Sequence, residues 1–324
     1  FQCKNFSGNA GTQALTFDNT DTSMQPDMVW LKKRNATAHH HIVDSVRGVG
    51  RYLFSNLSNA EGGDGFSDDG NDLLRSFDSN GFTIDAGEDA NASGATGISW
   101  CWKESATAGF DIVSFTGNGS ARTISHSLSA VPNMIIVKNR NAADDWPVYH
   151  KSLSANGWVY LNTTEAYTTG TPMWQDTDPT SSVFSVGTYH NSNGASGEEM
   201  IAYCFADKQG FSKVGGSYKG NGNADGAYIH LGFRPAFVML RRTNAVTHWQ
   251  LQDNKRGGFN SDNERLYAND VAAEQTANFI DLLSNGFKCI TSDAGANGSG
   301  DTYVYMAFAE APFVNSKGVP CNAR

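Results

Sequence analysis

The sequence predicts an all-β protein made of three tandem, homologous antiparallel β-sandwich units of the jelly-roll or lectin-like kind. Two observations lead to this prediction. Short apolar runs alternate with turns rich in Gly, Asn, Asp, Ser and Thr, and the same landmarks recur three times along the 324 residues. Period-two patterns of β-branched and aromatic residues dominate, and helical stripes are rare. The one helix that the pattern favours covers residues 270–283, "DVAAEQTANFIDLL".

Three landmarks define the repeat, and they occur in the same order in every copy. A Gly/Asn turn opens the copy, a strand introduced by proline follows, and an apolar strand after a small-residue turn closes it. The opening turns are "FSGNAG" (6–11), "FTGNGS" (115–120) and "YKGNGN" (218–223); the proline-led strands are "PDMVWLKKRN" (26–35), "PNMIIVKNRN" (132–141) and "PAFVMLRRTN" (235–244); the closing strands are "SGATGISWCWKE" (93–104), "SGEEMIAYCFAD" (196–207) and "SGDTYVYMAFAE" (299–310).

The spacing of the landmarks sets the domain boundaries. Pro132 follows Pro26 by 106 residues, and Pro235 follows Pro132 by 103. We therefore predict units at residues 1–105 (a divergent first copy), 106–208 and 209–313, followed by a C-terminal tail at 314–324. The joins between units are short, so neighbouring units should pack against one another.

The third unit contains two extra residues near its start. Phe211 precedes Gly220 by nine residues, whereas Phe110 precedes Gly117 by seven. We expect a β-bulge or a longer opening turn to accommodate them.

The opening "FTGNGS" invites comparison with a nucleotide-binding loop. A dinucleotide loop needs G-x-G-x-x-G between a strand and a helix. Here Arg122 and Asp225 occupy the third glycine position in units 2 and 3, and no helical pattern follows. Asn-Gly is a favoured two-residue hairpin turn, because both residues tolerate positive φ. The motif is interpreted as a hairpin turn.

Composition and charge argue against several classes of partner. The net charge is −9, and no basic stripe typical of a nucleic-acid-binding protein is present. No stretch reaches the roughly 20 apolar residues that a membrane helix requires, so membrane insertion is not expected. No signal peptide is visible, and because the chain begins with Phe1 we expect its start to be processed.

No motif predicts a metal site or a cofactor. The five cysteines contain no C-x-x-C and are interpreted as small apolar residues. The acidic segment "DGFSDDGND" (64–72) lacks the closing Glu of an EF-hand and is interpreted as a surface loop. Strand alternation would place His39 and His41 on one face and His40 on the other, and we expect all three at the surface. Lys32, Lys138 and Arg241 end matching strands and are expected to be solvated cations.

The sequence favours a protein that is not an enzyme. No G-x-S-x-G elbow or kinase motif set is present, and the distinctive residues belong to the repeated framework. A glycan-degrading enzyme stays open as an alternative, since it would need only two carboxylates facing a cleft about 5–10 Å apart.

Three tryptophans are the candidate ligand-binding residues. Trp146 and Trp249 occupy matching positions, with His41 near that place in unit 1, and Trp174 lies in the turn-rich "TPMWQDTDPT" of unit 2. Exposed aromatic rings can stack on sugars, whereas aromatic residues at repeated positions can equally form the sandwich core.

Several segments resemble a repeat module of virion proteins from marine tailed bacteriophages, which are often tail-fibre-like. The similar segments cover nearly the whole chain and include "FTGNGS…VPNMIIVKNRN", "SGEEMIAYCFADKQGFSKVG", "GFRPAFVML" and "YMAFAEAPFVNSKGVPCNAR". The piece "APFVNSKGVP" suggests a natural C-terminus. Unit 1 departs from the pattern, because "GNAG" replaces G-N-G.

The resemblance implies lectin-like domains on the outer surface of a virion, at the tail or the head, assembled in the cytoplasm of a host bacterium. The leading hypothesis is a tail fibre or adhesin that contacts host-surface glycan. The alternatives are a capsid decoration or head-fibre protein without ligand, another carbohydrate-binding module, and the enzyme. Expected partners are other virion proteins, a host receptor and further copies of the chain, with a trimer as the form common in tail fibres.

Overall fold

The computed structural model describes residues 1–18, 23–62, 73–86, 88–257, 260, 264–310, 313–314 and 320–321. Throughout these residues every pair of hydrogen-bonded strands is antiparallel. The all-β prediction is confirmed. Outside the strands, three single-turn helices occur in the described part of the chain: α1 Glu88–Asn91, α2 Thr171–Trp174 and α3 His190–Asn193.

The first predicted unit forms a five-stranded sheet, in the order β1-β8-β3-β4-β5, and a three-stranded sheet, in the order β2-β7-β6. Its strands are β1 Gln2–Ser7, β2 Gln13–Thr16, β3 Met28–Lys33, β4 His40–Asp44, β5 Leu53–Phe54, β6 Leu74–Asp78, β7 Gly81–Ile84 and β8 Thr96–Trp102.

The second predicted unit forms a six-stranded sheet, in the order β9-β16-β11-β12-β13-β14, and a two-stranded sheet of β10 and β15. Its strands are β9 Phe110–Thr116, β10 Arg122–Ser125, β11 Met134–Asn139, β12 Pro147–His150, β13 Gly157–Tyr160, β14 Thr168–Thr169, β15 Val183–Val186 and β16 Glu199–Phe205.

The third predicted unit forms a six-stranded sheet, in the order β17-β25-β19-β20-β21-β22, and a three-stranded sheet, in the order β18-β24-β23. Its strands are β17 Ser212–Lys219, β18 Tyr228–His230, β19 Phe237–Arg242, β20 Gln250–Asp253, β21 Glu264–Tyr267, β22 Gln275–Thr276, β23 Ile280–Leu283, β24 Gly286–Cys289 and β25 Thr302–Phe308. At the junction of the third unit and the tail, β26 Phe313–Val314 pairs with β27 Pro320–Cys321.

The same strand order recurs in the three large sheets. The opening strand pairs with the closing strand, which pairs with the proline-led strand, which pairs with the strand that follows it. Within the described residues, each sheet draws its strands from one predicted unit only. The expected bulge is also present, because the register of β17 against β25 shifts between Lys213 and Gly216.

Both faces of each large sheet are covered, which explains the continuous apolar runs of the sequence. In β11, Ile135 and Val137 enter the core beneath the two-stranded sheet, whereas Met134 and Ile136 enter a central core shared with the other two large sheets. A strand buried on both faces needs apolar residues at consecutive positions. The run "MIIV" reflects this double burial.

An aromatic cluster occupies the middle of the central core. Trp102, Phe205 and Phe308 end the three closing strands at matching positions, 103 residues apart. Their ring centroids are 6.2, 5.8 and 6.0 Å apart in the three pairs. These spacings suit edge-to-face and tilted aromatic packing. One hydrophobic centre therefore joins the closing strands of all three predicted units.

The predicted helix at 270–283 is wrong. That segment contains β22 and β23, and β23 pairs with β24 from Ile280↔Cys289 to Leu283↔Gly286. Burial alternates along β23 as expected of a strand: Ile280 and Leu282 are buried, whereas Asp281 and Leu283 are half-buried. Strand pairing with β24 therefore overrides the local helical pattern, as tertiary context commonly does.

The cysteine interpretation is confirmed for the four cysteines whose side chains are described. Cys3, Cys101, Cys204 and Cys289 are free and buried. Burial is the first cause that raises the pKa of each thiol, and it brings Cys101 to about 12 and Cys289 to about 11. These thiols are therefore protonated and poorly nucleophilic.

Candidate functional site

The three candidate tryptophans lie in the interior. Trp146 and Trp249 have no exposed surface, and Trp174 is 2% exposed. The indole N–H of Trp146 donates to the carbonyl of Leu57 at 2.9 Å, and that of Trp249 donates to the carbonyl of Tyr160 at 2.9 Å. Both bonds connect one predicted unit to the preceding one. Burial leaves none of the three rings a face on which a sugar could stack, and the sandwich-core alternative is favoured.

The first unit's counterpart of these tryptophans is His40, one residue before the position expected from the sequence. Its backbone N–H donates to the side-chain oxygen of Asn56, as Trp146 does to Asn162 and Trp249 to Asn269, each at 2.9 Å.

The expectation of surface histidines at 39–41 is wrong for two of them. His40 and His41 have no exposed surface, and His39 is half-buried. Burial lowers the pKa of His40 far below its usual value and that of His41 to about 3. Both rings are neutral core residues because β4 lies between two other strands and has both faces covered.

The strand-end cations are buried too, contrary to the prediction. Lys32, Lys138 and Arg241 have no exposed surface. Lys138 Nζ donates to the carbonyls of Asn139 and Ala142 at 2.6 and 2.9 Å. Burial lowers the pKa of Lys138 to about 8 and that of Arg241 to about 10. The cations satisfy loop carbonyls that the strands cannot reach.

The Gly/Asn turn is a site where two backbone segments meet, and the hairpin interpretation is wrong. Gly119 has φ 63°, which agrees with the expected turn, but β9 and β10 on its two sides belong to different sheets. Buried Asn193 donates from Nδ2 to Asn118 Oδ1, Ser120 O and Gly187 O at 3.0, 2.6 and 2.9 Å. A side-chain amide of the protein thus fills the turn and bonds to its acceptor oxygens.

The same clamp recurs in the other two copies. Asn91 donates to the carbonyls of Gly11 and Asp85 at 2.6 and 2.7 Å. Asn297 donates to Asn221 Oδ1 and to two carbonyls, each at 2.8 Å. Repetition in every unit marks the turn as part of the framework.

No cluster of three or more His, Cys, Asp or Glu side chains suited to a metal ion occurs among the described residues. The acidic segment 64–72 lies outside them. In the same part of the chain, no helix is long and apolar enough to span a membrane.

The best surface candidate is a patch of unit 2, the tyrosine–histidine patch, formed by Tyr160, Tyr189, His190, Asp144 and Glu198. Tyr189 is 41% exposed and precedes helix α3 with extended backbone. Its ring meets that of buried Trp158 edge to face at 5.8 Å between centroids, and Trp158 meets Tyr160 at 6.4 Å. Packing against a buried tryptophan fixes the orientation of an exposed aromatic ring.

His190 is held between two carboxylates. Its Nδ1 lies 2.5 Å from Asp144 Oδ2 and its Nε2 lies 2.9 Å from Glu198 Oε2. Asn139 Nδ2 donates to the same two oxygens at 2.9 and 2.8 Å. Although burial raises the pKa of Glu198, the N–H of Ala195, the amide of Asn139 and the charge of His190 together lower it. Both ring nitrogens of His190 are thus within hydrogen-bonding distance of a carboxylate oxygen.

This geometry suits binding better than acid–base chemistry. A catalytic histidine uses one ring nitrogen for orientation and the other for the substrate. Both nitrogens of His190 are engaged by carboxylates, so neither is free to accept a substrate proton. The remaining features are a fixed, half-exposed aromatic ring, tyrosine hydroxyls and carboxylate oxygens, which are the groups that contact sugar rings and sugar hydroxyls.

Sequence reasoning missed this patch. It selected Trp146, Trp174 and Trp249, whereas the tryptophan that supports the patch from beneath is the buried Trp158. A usable signal was present in "GTYHNSN" (187–193), because the matching segments of units 1 and 3 contain neither tyrosine nor histidine.

The fold is that of an all-β protein whose antiparallel sheets pack face to face around shared apolar cores. The chain belongs to a domain family of unknown function, DUF7483, whose match covers residues 1–312. No curated protein matches it significantly.

Proposed function

We propose that the chain is a structural module of a bacteriophage virion, made of three tandem β-sandwich units, that contacts host-surface glycan through the tyrosine–histidine patch. Three observations support the three-unit organisation: the repeated landmarks of the sequence, the identical strand order of the large sheets, and the confinement of each described sheet to one unit. The family match spans all three units together.

The observation that carries the binding role is the half-exposed ring of Tyr189, oriented by Trp158 and flanked by the His190 carboxylate cluster. The virion context rests on the resemblance to marine phage modules. The units fill their own cores with large aromatic residues and repeat one framework, which suits a rigid exposed spacer or adhesin.

Binding to a glycan array and to envelope fractions of marine bacteria tests this function. We expect Tyr189→Ala to weaken binding about tenfold, as loss of roughly 1.4 kcal/mol of ring contact would do. Tyr228→Ala is the matched control, because Tyr228 is also exposed (47%) but lies in unit 3, away from the patch. The control should bind like the parent protein.

Other outcomes distinguish the alternatives. If the parent protein binds no glycan and no envelope fraction, the adhesin role is excluded in favour of a decoration role. Equal losses in the two variants would exclude the patch as the site. Release of reducing sugar would support the enzyme.

A further inference from the structure

Three matching backbone hydrogen bonds connect the units in a cycle. The N–H of Glu61 in unit 1 donates to the carbonyl of Arg140 in unit 2 at 2.8 Å. The N–H of Tyr167 in unit 2 donates to Thr243 in unit 3 at 2.7 Å, and the N–H of Glu274 in unit 3 donates back to Arg34 in unit 1 at 2.7 Å. A row of three units would leave the third bond unmade, so these contacts close a ring. We call the contacts seam 1–2, seam 2–3 and seam 3–1.

Seam 1–2 contains a buried ionic cluster. Arg47 and Asp44 have fully buried side chains and lie 2.5 Å apart, Nε to Oδ2. The hydroxyl of Tyr203 donates to Asp44 Oδ2 at 2.7 Å and accepts from Arg47 at 3.2 Å. Glu61 binds Arg47 at 3.1 Å and takes two bonds from Arg140 at 2.8 and 2.9 Å. Every charge in the cluster has an opposite partner.

Seam 3–1 repeats this cluster with different residues. Arg256 and Asp253 are buried and lie 2.6 Å apart. The indole N–H of Trp100 donates to Asp253 Oδ2 at 2.9 Å, in the role of the Tyr203 hydroxyl. Glu274 binds Arg256 at 3.0 Å and Arg34 at 2.6 Å, from the third unit to the first.

Seam 2–3 has no charged side chain at the same five positions. Three of the positions lie 8, 18 and 21 residues after the proline that opens the proline-led strand of each unit. In seam 2–3 they are occupied by Thr243 of unit 3 and by His150 and Leu153 of unit 2. The matching backbone bond identifies Tyr167, and the closing strand identifies Met306. All five residues of the ionic clusters are thus replaced together in seam 2–3.

Simultaneous replacement is informative because a half-replaced cluster would be costly. Removing one partner of a buried ion pair typically destabilises a protein strongly, since the other charge stays buried without compensation. A well-packed uncharged seam is tolerated equally well. Each of the two kinds of seam is self-consistent.

We propose that these five positions form a pairing code that sets the order in which the three units close into a ring within one chain. The proposal rests on the three-unit organisation proposed above. Each unit has a front face, with three of the positions, and a back face, with two. The front faces are Asp44, Arg47 and Glu61 in unit 1; His150, Leu153 and Tyr167 in unit 2; and Asp253, Arg256 and Glu274 in unit 3. The back faces are Trp100 and Arg34 in unit 1; Tyr203 and Arg140 in unit 2; and Met306 and Thr243 in unit 3.

The code disfavours the reversed ring. In the order 1–3–2, the front of unit 1 would meet the back of unit 3 and leave Glu61 without an arginine from its neighbour. The front of unit 2 would meet the back of unit 1 and leave Arg34 without a carboxylate. Pairing of unit 2 with unit 2, or of unit 3 with unit 3, from a second copy of the chain produces the same mismatches. Because a ring closed within one chain satisfies the seams of all three units, we expect the chain to be monomeric by itself.

Recoding seam 1–2 with the residues of seam 2–3 tests the proposal in the full chain. One variant changes the front face (Asp44→His, Arg47→Leu, Glu61→Tyr), a second changes the back face (Tyr203→Met, Arg140→Thr), and a third combines both sets. We expect each half-recoded variant to unfold at a much lower urea concentration, and the combined variant to recover at least half of the lost midpoint. A combined variant whose urea midpoint is no higher than those of the half-recoded variants would overturn the pairing.

Refolding and light scattering test the order. A fourth variant recodes seam 3–1 in the same way (Asp253→His, Arg256→Leu, Glu274→Tyr, Trp100→Met, Arg34→Thr) on top of the combined set. The parent chain should refold to a monomer, whereas this fully recoded chain should give dimers and larger species, because every front face then accepts every back face. A purely monomeric fully recoded chain would show that chain linkage alone sets the order. If half-recoded chains fail to fold, Tyr203→Phe is the mild substitute, with Met306→Leu at the matching position of seam 2–3 as its control. Only Tyr203→Phe should lower the urea midpoint. None of these readouts depends on glycan binding, so failure here and failure of the adhesin role are separable.

Discussion

At the scale of single residues, the sequence pattern predicted the burial of polar side chains least well. His150 ends β12 in the interior, with Nε2 3.3 Å from the carbonyl of Tyr305 in the third unit, and its Nδ1 accepts from the N–H of Ser152 at 3.2 Å. This arrangement fixes the neutral tautomer. Burial lowers the pKa of His150 to about 4, against the opposing effect of its bond to Tyr305.

The neutral histidine makes stability depend on pH in a predictable direction. An unfolded histidine titrates near pH 6.5, so below that pH the unfolded chain binds a proton that the folded protein refuses. The contribution of His150 is therefore lost progressively as the pH falls from about 6.5 towards 4. Glu104, whose pKa burial raises to about 7, acts in the opposite direction, because its folded form gains a proton first.

We expect His150→Gln to reduce the loss of urea midpoint between pH 7 and pH 5, since glutamine can still donate to Tyr305 but does not titrate. His230→Gln, at an exposed histidine, should leave that loss unchanged. Glu104 is the same in all three proteins, so its effect cancels in the comparison. Equal pH dependence of the parent and His150→Gln would contradict the assignment.

At the scale of elements, the opening turn shows why a motif can be recognised from sequence and still be misinterpreted. Its residues predicted positive φ correctly at Gly119. The first glycine serves a different purpose: a Cβ on Gly8, Gly117 or Gly220 would lie 2.2, 2.3 or 2.2 Å from a backbone oxygen of the segment that carries the buried Asn. That segment is distant in sequence, so the turn's local residues could not reveal it.

Two glycine substitutions in this turn should differ in their effects. Gly117→Ala would place a methyl group against the carbonyl of Asn193, which is backbone and cannot swing aside, and we expect a loss of about 3 kcal/mol in the free energy of unfolding. Gly119→Ala meets no close atom but strains a left-handed residue, for a loss of about 1 kcal/mol. Urea titration measures both. Equal losses would mean that the close approach is not important.

At the scale of the whole molecule, the central aromatic cluster links the units. Trp102 contacts Phe205 and Phe308, one residue from each of the other two units, whereas Phe184 lies in the outer core of unit 2 alone. Trp102 and Phe184 are both buried, at 2% and 1% exposure. They therefore form a matched pair of core aromatic residues that differ in which units they contact.

We expect Trp102→Ala and Phe184→Ala each to cost about 3–5 kcal/mol, as is usual for large aromatic truncations in a core. Hydrogen exchange read by mass spectrometry separates them. Trp102→Ala should speed exchange in the closing strands β8, β16 and β25 together, whereas Phe184→Ala should speed it in unit 2 only. Faster exchange confined to unit 1 in Trp102→Ala would argue against a shared centre.

The sequence by itself determined the β character, the landmarks of the repeat, the two extra residues of unit 3 and the burial of the four described cysteines, because these follow from local pattern and regular spacing. Tertiary structure decided the positions of Trp146, His40, Lys138 and their counterparts, which became interior residues because each large sheet is covered on both faces. It also decided the seams, whose partners come from different units. A pattern along one chain shows which residues need burial or a partner, and only packing between distant segments determines which partner each one finds.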